Sequence, residues 1–149
     1  MSKVVVYIYN FALFLHNLRI PVLPKLINIV FVRLLFGCQI SLGAKLGKGT
    51  VLGYGGLGIV IHDRAVLGEN VMVGAGVTIG GTSHIYEVPV IGDNTMIAPG
   101  AKILGPVKIG KNCVIGANAV VLKDVPDNCV VGGVPAKILK EDIDITKYR

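Results

Sequence analysis

From Ile61 to Val121 an aliphatic residue returns at every sixth position: Ile61, Leu67, Val73, Ile79, Ile85, Ile91, Ile97, Ile103, Ile109, Ile115 and Val121. Four residues after each stands a small, β-branched or proline residue, among them Ala65, Val71, Val77, Thr95, Ala101 and Cys113. Glycine often follows the aliphatic position directly, at Gly68, Gly74, Gly80, Gly92, Gly110 and Gly116. A helix of 3.6 residues per turn cannot hold every sixth residue on one face, and an alternating strand has no need of the glycines. A short strand followed by a tight turn satisfies both. The aliphatic residue points inward, the small one sits near a corner, and glycine supplies the turn's backbone angles. Three such hexads close one triangular coil of a parallel β-helix. Ile40, Leu46 and Leu52 form an earlier coil, with three extra residues before Ile61. The pattern predicts a mainly β chain of about five coils.

The first 36 residues lack the hexad. "SKVVVYIYNFALFLHNLR" and "LPKLINIVFVRLLFG" predict two helices joined at Arg19-Ile20-Pro21, with Pro24 in the first turn of the second and Gly37 at its end. Each apolar run is shorter than the ~20 residues that span a bilayer. Both are apolar on more than one face, so they pack on the domain, on a neighbouring subunit, or on a membrane surface helped by Lys3, Arg19, Lys25 and Arg33. The expected organisation is a helical segment over 1–36, a β-helix domain over 37–139 and a tail over 140–149.

Composition narrows the function. The net charge is +6, and Lys102, Lys108, Lys111, Lys123, Lys137 and Lys140 make the second half basic, which suits an anionic ligand. Nothing resembles the aromatic-and-basic pattern of a nucleic-acid module, and no Gly-rich phosphate loop is present. Cys38, Cys113 and Cys129 match no metal spacing and read as reduced, buried thiols of a cytoplasmic protein. No signal peptide is evident: Lys3 is the only early charge, and no small-residue cleavage site follows the apolar run. Within the repeat, "TSHIYEVP" at 82–89 lacks the small, glycine-rich turn pattern, and Pro89 disrupts strand pairing. These residues read as a loop pushed out of the coil, carrying one of only three histidines, His84.

From Ile40 to Leu139 the chain resembles the hexapeptide-repeat acyltransferases, and among them the serine acetyltransferase-like branch. The stretches that carry the resemblance are "GVTIGGT" (76–82), "IGDNTMIAPGAKILGPVKIG" (91–110), "IGANAVVLKDVPDN" (115–128) and "GGVPAKIL" (132–139). The resemblance implies a left-handed β-helix, an exception to the right-handed crossover rule. It also implies a homotrimer with acetyl-CoA in the groove between neighbouring subunits. Two departures bear on the acceptor. Serine acetyltransferases carry an Asp-His pair before a Gly-Ile-Val-Ile stretch, where this chain reads "GYGGLGIVIH", and His-Pro where it has Val88-Pro89.

By the same resemblance, His84 takes the place of a general base. Galactoside- and maltose-acetyltransferase-like members carry Val-Thr-x-x-x-Thr-Gly-His at such a loop, and this chain has Val77-Thr78-Ile79-Gly80-Gly81-Thr82-Ser83-His84. The chemistry calls for such a group, since a hydroxyl is a poor nucleophile until a base takes its proton. An exposed loop histidine without a role is the alternative. His62, at a corner position, is the second candidate base or a substrate contact; the alternative there is a histidine bonded to backbone. Glu87 is a candidate to orient the imidazole. For acetyl-CoA the resemblance implies Ala98, Gly100, Ala101 and Ala117 along the pantetheine arm, with Lys123 and Lys137 at the anionic end. No metal is expected: a hydratase of the β-helix type needs three histidines at one site, and the repeat holds only His62 and His84. The expected activity is acetyl-CoA-dependent O-acetyl transfer to a sugar hydroxyl in polysaccharide or glycan synthesis, in the cytoplasm or peripherally at the membrane's inner face. The alternatives are serine O-acetylation and a non-catalytic scaffold.

Overall fold

The computed structural model describes residues 3–148. Its body is a three-faced parallel β-helix, and the hexad residues form its interior columns. Ile40, Ile61, Ile79, Ile103 and Val121 stack in register along face one. Leu46, Leu67, Ile91 and Ile109 stack along face two, and Val125 adds a single bridge to Ile109. Leu52, Val73, Ile97, Ile115 and Val131 stack along face three. Face two thus has four strands where face one has five, and the fifth coil narrows to that one bridge. Lys137–Lys140 pairs antiparallel with Val130–Gly132 and finishes face three.

Strands of two or three residues contribute little alone; the columns between them hold the coils together. The interior residues are almost all below 4 % exposed, which gives a continuous aliphatic core. Thr95 and Thr50 are the buried polar exceptions, their hydroxyls donating to the Gly110 carbonyl at 2.9 Å and the Gly47 carbonyl at 2.8 Å.

The corners depart from the expectation that the repeat glycines supply turn angles. Gly68, Gly74, Gly80, Gly92, Gly110 and Gly116 all lie outside the left-handed region. Most of them are needed because the neighbouring coil passes too close. A Cβ on Gly92 would stand 2.6 Å from the Gly110 carbonyl carbon, and one on Gly74 would stand 2.5 Å from the Pro99 nitrogen. At the corner between faces two and three, asparagine takes the left-handed angle instead: Asn70, Asn94, Asn112 and Asn128 have φ of 54–57°. Asparagine tolerates this region because its short amide bonds locally. Here the amides form a ladder, Asn94 donating to Asn112 at 3.2 Å and Asn112 to Asn128 at 3.0 Å.

Two helical elements close the first coil. α1 (Val4–Asn17) buries Val5, Tyr9 and Ala12, and the Tyr9 hydroxyl reaches the carbonyls of Ala44 (2.6 Å) and Ser41 (2.8 Å). α2 (Leu23–Ile27) runs directly into a wider π-helical segment, Asn28–Leu35. Pro24 lies in its first turn, where a missing N–H costs nothing. Gly37, with φ of 66°, ends it.

All three cysteines are buried and unpaired. Burial pushes the Cys38 thiol from its usual 9.0 up to about 11. The folded thiol therefore keeps its proton to higher pH than the unfolded one, and stability falls as pH rises from 9.0 to about 11. Cys38→Ala is expected to make that decline shallower, by up to about 2 kcal/mol, in melting curves taken across this interval.

Candidate functional site

Six extra residues separate Ile79 from Ile103, which are otherwise consecutive in the face-one column. They leave the coil as a loop between Gly81 and Pro89. The insertion equals one hexad, so Ile85 keeps the sequence phase while standing 43 % exposed, outside every interior column. The loop springs from the corner between faces one and two and returns there, with Val88 and Pro89 tucked inside.

His62 occupies this corner one coil earlier. Its backbone N–H donates to the Ile79 carbonyl at 2.9 Å, which locks its position in the ladder. The imidazole is half-buried, and Nδ1 accepts from the Arg64 backbone N–H at 3.2 Å. An accepting Nδ1 assigns the proton of neutral imidazole to Nε2. That Nε2 faces the root of the loop: a Cβ added to Gly81 would stand 3.8 Å from it, and 3.2 Å from a Val88 methyl.

His84 lies further out. It is exposed, with φ of 65°, a conformation uncommon for a residue with a side chain. Neither ring nitrogen has a hydrogen-bond partner among the described residues, and Glu87 does not orient it. What holds this loop is a residue the hexad pattern did not reveal. Arg64 Nε and Nη2 both donate to the Tyr86 carbonyl, at 3.1 and 2.6 Å, and the guanidinium lies 4.1 Å from the centre of the Tyr86 ring. Arg64 is a corner residue with no periodic signature; only the loop's path brings Tyr86 over it.

The residues assigned to acetyl-CoA lie on two edges of face one. Lys123 is exposed at the corner between faces one and two, four coil-steps along from the first coil and on the edge that carries His62. Ala98, Gly100 and Ala117 lie at the opposite corner, where face three passes into face one. Lys137 is exposed near that edge, in register with Gly132. Face-one strands of two or three residues separate the edges by about 10 Å. Ala101 does not fit its assignment. Its methyl is wholly inside the core, and its carbonyl accepts from Thr78, so no group remains for a ligand. Gly100, by contrast, has φ of 76°, and a Cβ there would collide with the Asn118 amide oxygen. Between the edges, Lys102 is half-buried and its ammonium donates to the Gly76 carbonyl at 2.5 Å, another contact the pattern did not reveal. Lys111 is engaged elsewhere, 3.0 Å from Asp93 at the corner between faces two and three. That pairing, after the bond from the Glu69 N–H, holds the Asp93 carboxyl below its usual range. Tyr54 is exposed at φ of 49° and lines a shallow apolar hollow with Met72, Met96 and Ala98. Among the described residues no group of three or more His, Cys, Asp or Glu is placed to hold a metal ion.

The bacterial transferase hexapeptide family (six repeats) matches residues 89–123. Serine acetyltransferase from Synechococcus elongatus is 39 % identical over 133 residues, covering 88 % of this chain and 54 % of the relative. Serine acetyltransferase 4 from Arabidopsis thaliana is 41 % identical over 106 residues, covering 70 % of this chain and 30 % of the relative. Among solved structures, Neisseria gonorrhoeae serine acetyltransferase superposes with a TM-score of 0.86 at 34 % identity, over 94 % of this chain and 55 % of that one. The Brucella abortus enzyme in complex with coenzyme A gives 0.86 at 34 %, over 91 % of this chain and 54 % of that one. The chain spans about half the length of these relatives or less. The chain carries the repeat of the hexapeptide transferase family and is similar over most of its length to serine acetyltransferases, and its coils form the left-handed β-helix of that fold.

Proposed function

We propose that this chain transfers an acetyl group from acetyl-CoA to the hydroxyl of L-serine or a closely similar acceptor, in a cleft completed by a second copy within a homotrimer. The observation that carries the reading is the likeness, over nine-tenths of the chain, to a serine acetyltransferase in complex with coenzyme A. It is joined here by a clamped histidine loop at one edge of face one. The sugar acceptor expected from the sequence has no counterpart among these relatives, whereas serine does. Tyr54-Gly55 and Val88, which by the resemblance stand where serine acetyltransferases carry histidines, keep the sugar as the second reading.

The two histidines divide the chemistry. His84, with both ring nitrogens free of partners among the described residues, takes the acceptor's hydroxyl proton as oxygen attacks the thioester carbonyl. His62, with its proton on Nε2, donates to the oxyanion that forms. Collapse of the tetrahedral intermediate breaks the C–S bond, and the proton held by His84 passes to the departing thiolate. No acyl-enzyme forms. The small, exposed Ala117 lets the pantetheine arm approach the coil backbone, and Lys123 and Lys137 supply mobile cations for the phosphates.

The test follows release of free CoA thiol with L-serine and with a panel of sugars. Serine is expected to give the highest kcat/KM. Turnover on sugars alone would leave the acetyl transfer and replace the acceptor. Acetyl-CoA binding with no turnover on any acceptor would make the chain a scaffold.

A further inference from the structure

We propose that the N-terminal helical pair docks the protein on the surface of an anionic lipid bilayer, lying in the membrane plane. This inference is independent of the acetyl-transfer reading. α1 is apolar on two faces, and the coil uses only one. Val5, Tyr9 and Ala12 pack on the first coil, while Val4, Tyr7, Phe11, Phe14 and Leu18 form a second stripe that is more than half exposed throughout. The stripe continues past the turn: Val22, Leu26, Leu34 and Leu35 are also more than half exposed. Surfaces of this apolar extent on a folded domain mark a partner.

Charge decides which partner. Lys3, Arg19, Lys25 and Arg33 are exposed on the same elements, and no Asp or Glu occurs before Asp63. A second copy laid helical pair against helical pair would bring cation to cation with no carboxylate from either to offset them. An anionic headgroup layer meets both features, apolar side chains entering the acyl boundary and cations staying among the phosphates. Spanning is ruled out for these helices. Among the described residues no helix is long and apolar enough to cross a membrane, and the 14 residues of α1 reach about 21 Å against a hydrocarbon core of about 30 Å.

Co-sedimentation of the full chain with vesicles tests this. One set is phosphatidylcholine alone, the other phosphatidylcholine mixed with phosphatidylglycerol. Binding is expected to the mixed vesicles, to weaken with added salt, and to be slight on phosphatidylcholine. Arg19→Gln and Lys25→Gln should each weaken it about five-fold. Phe14→Ser combined with Leu34→Ser should abolish it; both side chains are exposed, and an unchanged circular dichroism spectrum verifies folding. Absence of binding to the mixed vesicles overturns the proposal. So does a fall in vesicle-free oligomer mass in the Phe14→Ser, Leu34→Ser variant, which would make this face a contact between copies. CoA release with a soluble acceptor, measured without vesicles, should be the same for these variants and the parent chain, so failure here is separable from failure of the acetyl-transfer reading.

Discussion

His84→Ala is expected to lower turnover by about 10²–10⁴, the usual cost of losing a general base, while acetyl-CoA affinity stays close to that of the parent chain. The two effects separate because the groups assigned to CoA lie on the coil edges, not on the loop. His62 provides the contrast. The role proposed for it, an Nε2–H donor, rests on the Arg64 N–H occupying Nδ1, and glutamine also offers an N–H. His62→Gln should therefore retain more activity than His62→Ala, whereas His84→Gln should be as impaired as His84→Ala. If the glutamine series runs the other way, the two roles are exchanged. If both alanine variants remain active, the base is not a histidine, and Tyr54 becomes the next residue to replace. Protonated imidazole has no lone pair to accept a proton, so the rate should fall on acidification; a flat profile with chemistry rate-limiting counts against His84 as the base. Arg64 enters as a positioning residue. Arg64→Ala removes two bonds to Tyr86 and the stacking on its ring. It should lower kcat several-fold, by about the 1–2 kcal/mol such contacts contribute, without changing the shape of the pH profile. Arg64→Lys, lacking the planar fork, should restore only part of the rate.

Ile97→Asp should prevent stable folding. Ile97 is 1 % exposed and lies between Val73 and Ile115 in the face-three column. A carboxylate there meets aliphatic side chains above and below. It either stays charged without a partner or takes up a proton, and in both cases the cost is on the order of 3 kcal/mol or more. That is a large share of a small domain's total stability. Ile85→Asp makes the internal comparison, because the same hexad phase puts Ile85 in the exposed loop. Its melting temperature should stay near that of the parent chain. Equal destabilisation of the two variants would contradict the extrusion of the loop.

That pair of isoleucines shows how far the chain could be read in one dimension. The interior columns, the coil count and the helical start were legible because burial imposes a period. Every inward position must be aliphatic, and three short sides return the chain to the same face after eighteen residues. The departure at 82–89 was visible as a loss of small turn residues. Periodicity is blind, however, to an insertion one hexad long, and so Ile85 counted as one more repeat. The repeat glycines were found for a reason the structure replaces: close passage of the next coil rather than a left-handed angle, which asparagines 70, 94, 112 and 128 adopt instead. Contacts between coils carry no sequence signal, because their partners lie one or more turns away. Folding alone set the Nδ1 bond that fixes the His62 tautomer, the grip of Arg64 on Tyr86, the tether of Lys102 to Gly76 and the burial of Ala101. The hydrophobic period thus determined which residues face inward; coil stacking decided which surface groups meet, because it joins positions that the period treats as equivalent.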